Sequence, residues 1–300
     1  MKISVCVPMY NEEKIAADCA KTLHDVMSAN QVMTGDDFEI IFCDDGSTDN
    51  CGERVRELTG EYHGLRVVGY PDNRGKGSAV REAIAASEGD IVMYLDCDLA
   101  YGTDVVPEVI RKMKESDYDI IIGSRNLTDD GYEGYTPIRK LASKTYIKVL
   151  NLCAGFHMSD SQCGFKTFRG DIARKIFSYC STDGFAFDIE AIMIAEKMKL
   201  NIGEIPVKII NHRDSKINVV RDTFKMLGDL KRIKKRVKSG PVSFFSLFED
   251  APAKEEVITV FLALLELLKL SQVKATQKDE YEDILIEKAD APEAPAHEEA

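Results

Sequence analysis

Five short runs of β-branched and other apolar residues, four of them leading into a polar cluster, constrain this chain more than any other feature. "ISVCVP" precedes the helical pattern "EEKIAADCAKTLHDVMSA", and "FEIIFCDD" precedes a helix from about Thr48. "LRVVGY" precedes "GKGSAVREAIAASEG", with Gly89 after its end; "DIVMYLD" and "YDIIIGSR" are the fourth and fifth strands. Strands that are apolar along their whole length are buried on both faces, so strand–helix alternation of this kind predicts a mostly parallel sheet with helices on both sides. Ligands of such sheets lie beyond the C-terminal ends of the strands. The clusters that follow the first four runs, "PMYNEE", "DDGSTD", "PDNRGKG" and "DCD", are therefore expected to converge on one rim. Taken singly, "DDGSTD" is also a good turn with a helix N-cap.

The pair in "DCD" carries the most chemistry. Asp96 and Asp98 stand one residue apart just past a strand, so both carboxylates can reach one hard cation. Oxygen ligands suit Mg²⁺ or Mn²⁺, and Mg²⁺ commonly combines one or two carboxylates with substrate phosphates. That predicts a nucleoside diphosphate as third party. A D-x-D pair also fits an ordinary strand-end turn.

Charge narrows the partners. Residues 241–300 hold 14 Asp and Glu against 5 Lys, a net of −9, while residues 1–240 are close to neutral at −3. A basic nucleic-acid surface is not expected of this composition. The 8 Cys form no CxxC pair, and Cys6, Cys43 and Cys97 fall in or beside strand-like runs, which fits a reducing compartment. "MKISVCVPMYNEE" lacks the apolar region of a signal peptide, and the stretch within "VITVFLALLELLKL" is interrupted by Glu266 and too short to span a bilayer. The expectation is a cytoplasmic protein, soluble or peripheral on the membrane.

Taken together and in order, "VPMYNEE", "CDDGSTD", "NRGKGSAVREAI", "YLDCDLA", "GSR" and "DSQCGFKTF" resemble a family 2 glycosyltransferase with the Rossmann-like GT-A fold, closest to the polyprenyl- and dolichyl-phosphate sugar synthases, over about residues 1–238. The resemblance implies a donor site of Pro8, Tyr10, Glu12, Asp44, Asp45, Lys76, Asp96, Arg125, Arg213 and Lys216. It makes Asp96 and Asp98 the metal ligands, with Asp45, beside Asp44, receiving the base. Near the acceptor it implies Arg139, Gln162, Lys166, Asp188 and Ser215, with Asp160 and Asp98 catalytic and Glu190 lining the same pocket. Lys76 reads equally as a solvated helix N-terminus, and Asp188 as a helix-start carboxylate. The spacing from Arg213 to Lys216 is shorter than in the mannose-transferring relatives.

The chemistry so implied is metal-dependent, inverting transfer of a hexose from a nucleotide sugar to a polyprenyl or dolichyl phosphate. An acceptor phosphate is already anionic, so Asp160 would orient it while Lys166, Arg139 and Arg125 balance its charge. A sugar hydroxyl acceptor would instead need Asp160 or Asp188 as base. No Q-x-x-R-W sequence is present, which favours single transfer, and "DSQCGFK" favours UDP-glucose over GDP-mannose. The alternatives are a saccharide or protein acceptor, and an interaction protein whose tail recruits a partner.

Residues 217–240 read as a basic amphipathic helix and linker. Val220, Phe224, Leu227, Leu230 and Ile233 form an apolar stripe, and Arg221, Lys225, Lys231, Arg232, Lys234, Lys235, Arg236 and Lys238 a cationic face. Such a helix suits an anionic membrane surface or packs on the catalytic domain. After Pro241 come two apolar helical patterns, then "VKATQ" and "DILIE". The second helix carries a stripe of Val257, Val260, Phe261, Leu264, Leu267 and Leu268. This part, residues 241–288, resembles the winged-helix domain of the bacterial kleisin that docks on an SMC ATPase head, which implies a protein partner. The expected organisation is 1–216 catalytic, 217–240 helix and linker, 241–288 winged-helix-like, and 289–300 disordered.

Overall fold

The structure is a computed structural model that describes residues 1–128, 130–131, 158–160, 163–184, 187–210, 240, 242–247, 260, 263–264, 267–268, 273–276 and 283–289. The chain divides into two units, Met1–Ser215 and Lys216–Ala300. In the first, β1 (Lys2–Met9), β2 (Asp37–Asp45), β3 (Leu65–Tyr70), β4 (Ile91–Tyr94) and β5 (Ile120–Ser124) form where the five apolar runs predict them. Between them lie α1 (Ala16–Thr34), α2 (Cys51–Arg56), α3 (Lys76–Ala85) and α4 (Val105–Glu115). Next in the chain are β6 (Lys166–Arg169), α5 (Gly170–Tyr179), α6 (Phe187–Lys197) and β7 (Ile202–Pro206).

The sheet runs β3-β2-β1-β4-β6-β5-β7. All its pairings are parallel except those of β6, which is antiparallel to β4 and β5. The reversal matters for the site. The parallel strands end at one rim, and β6 starts there, so the segment leading into Lys166 lies beside the residues just after β4 and β5. Ile3, Val5 and Val7 of β1 and Ile40 and Phe42 of β2 share one buried core with Leu23 and Met27 of α1 and Val106, Val109 and Met113 of α4. Helix α3 covers β1 and β2 and packs against α5. Each fully buried Leu, Ile or Phe contributes about 1.5–3 kcal/mol, so this two-sided burial fixes the strand positions. Helix α1 ends where Gly35, at φ 73°, donates to the Gln31 carbonyl. It begins at Ala16 rather than at Glu12, because Asn11 and Glu13 are bound to another loop.

In the second unit β8 (Val242–Ser243), β10 (Leu285–Lys288) and β9 (Val273–Thr276) form an antiparallel sheet in that order. The strand-like pieces "VKATQ" and "DILIE" correspond to β9 and β10. Where the first helical pattern was expected to start, Val242–Ser243 is a strand and Phe245–Leu247 a 3-10 turn. Val260, Leu264 and Leu267 of the second helical stripe are helical and buried. The basic helix expected at 217–238 lies outside the described residues, as do residues 290–300. Among the described residues no helix is long and apolar enough to cross a membrane.

Candidate active site

Asn11, at φ 55°, is the hub of the first rim loop. Its side-chain oxygen accepts from Thr48 N at 2.8 Å and Thr48 Oγ1 at 3.1 Å, and its own N–H donates to Ser47 Oγ at 3.1 Å. Glu13 N donates to Asp49 Oδ2 at 2.9 Å. The loops after β1 and β2 are thus one body, with Tyr10 exposed and Glu12 half-buried on it. Pro8 is a buried residue of β1. It shares the β4 side of the strand with Cys6, whose carbonyl accepts from Leu95 N where the β4 ladder ends, so its missing N–H interrupts nothing.

Asp45, 3% exposed, is saturated by its own chain. It accepts from Tyr70 Oη at 2.7 Å, Asn73 Nδ2 at 2.9 Å, Arg74 N at 2.9 Å and Gly75 N at 3.0 Å. Burial and this bond push the Tyr70 hydroxyl up. The geometry therefore makes Asp45 the anchor of the loop between β3 and α3. Asp44, half-buried, accepts from Ser47 N at 3.0 Å and is the carboxylate of this pair nearer the surface. The Arg74 guanidinium lies 4.3 Å from the centre of the Tyr70 ring.

The "RGKG" loop is pinned from the other side. Gly75, at φ +110°, leaves no room for a Cβ, which would stand 2.5 Å from the Asp183 carbonyl oxygen; at Gly77 one would collide with that of Thr182. Gly77 N donates to Asp183 O at 2.7 Å, and Arg81 pairs with the Asp183 carboxylate. With its backbone so held, Lys76 places Nζ 2.5 Å from Asp96 Oδ1. Burial pulls the ammonium pKa down, but the charges of Asp96, Asp188 and Asp98 outweigh it and hold it above 10.5. Lys76 is therefore no solvated helix start; its side chain is 18% exposed.

Asp96 and Asp98 sit in the turn after β4, both part-exposed, with Leu99 at φ 47° and Ala100 N donating to Asp98 Oδ1 at 3.1 Å. Cys97 between them is buried and hydrogen-bonded with Cys19; that bond and burial push its thiol up. The alternation places the two carboxylates on the open side and the thiol in the core. A Cβ at Gly164 would stand 2.5 Å from Asp96 Oδ2, so the "CGFK" glycine is the floor on which Asp96 rests. Among the described residues no three His, Cys, Asp or Glu side chains gather as a complete metal cage. Two carboxylates of this kind fit a cation that takes the rest of its shell from a diphosphate and water.

Two buried ion pairs flank this turn. Arg125 donates through Nε to Asp160 Oδ2 at 2.6 Å, through a second nitrogen to Oδ1 at 2.8 Å, and through its backbone N–H to Oδ2 at 3.1 Å. Burial lowers the guanidinium pKa and Asp160 raises it more. Lys166, 0% exposed, donates to Asp188 Oδ1 at 2.7 Å and to the Cys163 carbonyl at 2.6 Å, and Tyr94 Oη donates to the same Asp188 oxygen. Lys166 is thus held as a buried strut of the site, paired with Asp188, as Asp160 is paired with Arg125. Glu190 accepts from the N–H groups of Ser181 and Thr182 at 3.0 and 2.8 Å and holds that loop. Arg139, Gln162, Arg213, Ser215 and Lys216 lie outside the described residues. Asn11, Asn73, Tyr94 and Asp183 carry roles not expected from the sequence, although Asn11 in "YNEE", Asn73 in "PDNRGKG" and Tyr94 in "YLDCDLA" lie inside marked motifs.

A model of glycosyl transferase family 2 matches residues 4–177. A second, of the segregation and condensation protein ScpA, matches residues 182–289; its first part covers α6 and β7, which belong to the seven-stranded sheet unit. A dolichyl-phosphate beta-glucosyltransferase of Trichomonas vaginalis is 30% identical over 236 residues, 76% of this chain and 69% of its own length. One from Dictyostelium discoideum is 29% identical over 79% of this chain and 75% of that protein. Glucosyl-3-phosphoglycerate synthase of Mycobacterium tuberculosis, solved with Mn²⁺, UDP and glucosyl-3-phosphoglycerate, has the same fold at TM-score 0.53 and 21% identity, covering 76% of this chain and 77% of that one. The fold is GT-A, with the "DCD" turn at its rim. The chain belongs to glycosyl transferase family 2 and is a glycosyltransferase.

Proposed function

We propose that the protein transfers glucose from UDP-glucose to a polyprenyl or dolichyl phosphate in a reaction that needs Mg²⁺ or Mn²⁺. The observation that carries this is the part-exposed Asp96–Asp98 pair facing Lys76 at the rim where the loops of β1, β2 and β3 meet. The names of the relatives, dolichyl-phosphate beta-glucosyltransferases, supply the sugar and acceptor. Asp96 and Asp98 would hold the cation, which when bound would neutralise charge on the departing nucleoside diphosphate. Asp44, Tyr10 and Glu12 would border the nucleoside and Lys76 the diphosphate. Attack by an acceptor phosphate needs no base, because its oxygen is anionic at neutral pH. The engagement of Asp160 with Arg125 and of Asp188 with Lys166 and Tyr94 supports such an acceptor over a hydroxyl, which would require a carboxylate free to take its proton. Arg139, Gln162, Arg213, Ser215 and Lys216 complete the proposed site, and the basic segment 217–238 brings the enzyme to the cytoplasmic membrane face.

The test is transfer of radiolabelled sugar from UDP-glucose or GDP-mannose to polyprenyl phosphate in detergent with Mg²⁺ or Mn²⁺. An organic-extractable product from UDP-glucose, lost in Asp98→Ala by at least about 100-fold, is expected. Metal-dependent release of nucleoside diphosphate with no extractable product would move the acceptor to a saccharide or protein. The ScpA match also supports a second reading, in which residues 241–288 bind a protein partner. Pull-down with a purified SMC ATPase head tests it, and no capture by the full chain would remove it.

A further inference from the structure

The ammonium of Lys76 stands on the same carboxylate that would receive a cation. Its Nζ lies 2.5 Å from Asp96 Oδ1. The backbone beneath it cannot retreat, since Gly75 and Gly77 abut the carbonyls of Asp183 and Thr182. Nor can Asp96 swing down, because Gly164 lies against its other oxygen. The Phe187 ring, with its centre 6.0 Å from Nζ, walls the side chain from below. A divalent ion and this ammonium would therefore meet as like charges over one pair of carboxylates, in a part-buried setting where such repulsion is little screened. A diphosphate changes the balance, because it offers the ammonium a second anion and the ion further oxygen ligands.

We propose that Lys76 is the residue that couples the cation to the donor: it guards Asp96 while the nucleotide is absent and turns to the diphosphate when the nucleotide binds. Cation and nucleoside diphosphate then bind cooperatively, each raising the affinity of the other by the same factor. The inference rests on the metal-dependent reading of the site given above.

The experiment measures Mn²⁺ affinity of the full-length chain by titration calorimetry, without nucleotide and with saturating UDP, in wild type, Lys76→Met and Lys76→Arg. Wild type is expected to bind Mn²⁺ at least about tenfold more tightly with UDP present, within the range usual for coupled sites. Lys76→Met should bind Mn²⁺ alone several-fold more tightly than wild type, and the gain from UDP should fall below about threefold. Lys76→Arg should keep the wild-type pattern. Unchanged or weaker Mn²⁺ binding by folded Lys76→Met without UDP, or an undiminished gain from UDP, overturns the coupling and leaves the metal site standing. If wild type binds UDP but no Mn²⁺ under either condition, the metal reading falls and the coupling with it. Lys76→Gln, with the same expectation as Lys76→Met, decides the matter if the methionine variant does not fold.

Discussion

Gly164 has no side chain because the Asp96 carboxylate occupies the place where one would stand. In Gly164→Ala the new Cβ would meet Asp96 Oδ2 at 2.5 Å and Cγ at 3.1 Å, and the carboxyl must give way. Misplacements of this order in a reacting constellation lower rates by about 10- to 100-fold. The variant is expected to lose transferase activity on that scale while its melting temperature moves by only a few degrees; full activity would free Asp96 from any need of a fixed position. Asp160 behaves in the opposite way. It is 0% exposed and shared three ways with Arg125, and removing one partner of a buried pair costs about 3–5 kcal/mol. Asp160→Asn should therefore appear first as a loss of that size in urea unfolding, where Asp98→Ala, in an open turn, should be nearly silent. A stability of Asp160→Asn equal to wild type would return Asp160 to the list of acceptor contacts. Neither behaviour is written in "DSQCGFK": the motif marks the neighbourhood, but the partners stand 35 residues away in Arg125 and 68 in Asp96.

The elements were legible to different depths for a plain reason. Strands β1 to β5 are continuous apolar runs, and two-sided burial leaves that trace in any sequence. Strand β6 leaves none. It has four residues, "KTFR", and its first is a lysine whose burial depends on Asp188 22 positions on and on the carbonyl of Cys163. The same long-range pairing stitches β1, β2 and β3 at the end of the sheet away from the site. Glu39 of β2 accepts from Ser4 Oγ of β1 at 2.6 Å, from Arg66 of β3 at 2.6 Å and from Glu88 N at 2.7 Å. Burial would raise its pKa, yet these bonds and the charges of Arg66 and Lys2 prevail and hold it below its ordinary 4.5. A carboxylate depressed in the folded state contributes its full stability above the unfolded value and loses it as pH falls through the lower folded one. Glu39→Gln should thus be less stable than wild type at pH 7, with the gap closing as pH falls below about 4.5. Urea melts across that window measure it, and a gap constant down to pH 3 would show that ionisation of Glu39 does not stabilise the stitch.

At the scale of the whole molecule, the two matched families meet inside a structural unit. The ScpA match starts at residue 182, yet residues 182–184 hold the "RGKG" loop and β7 pairs with β5, so this stretch serves the glycosyltransferase. The separate unit begins only at Lys216. That separation, with the acidity concentrated after residue 240 and the cations before it, predicts a division of labour that two variants can read. A chain ending at residue 240 retains the seven-stranded sheet, every described site residue and the eight cations between Arg221 and Lys238. It is expected to keep transfer to polyprenyl phosphate within about twofold of the full chain, because every described site residue belongs to the first unit. Replacing those eight cations with Gln should leave turnover of detergent-dispersed acceptor within the same margin. It should cut transfer to acceptor embedded in anionic vesicles by tenfold or more, because each Lys or Arg near such a surface contributes about 1 kcal/mol. Vesicle co-sedimentation at low and high salt provides the direct reading. Wild-type binding to anionic vesicles by the Gln variant would move the membrane contact elsewhere, and loss of transfer in the 240-residue chain would make the ScpA-like unit part of the enzyme.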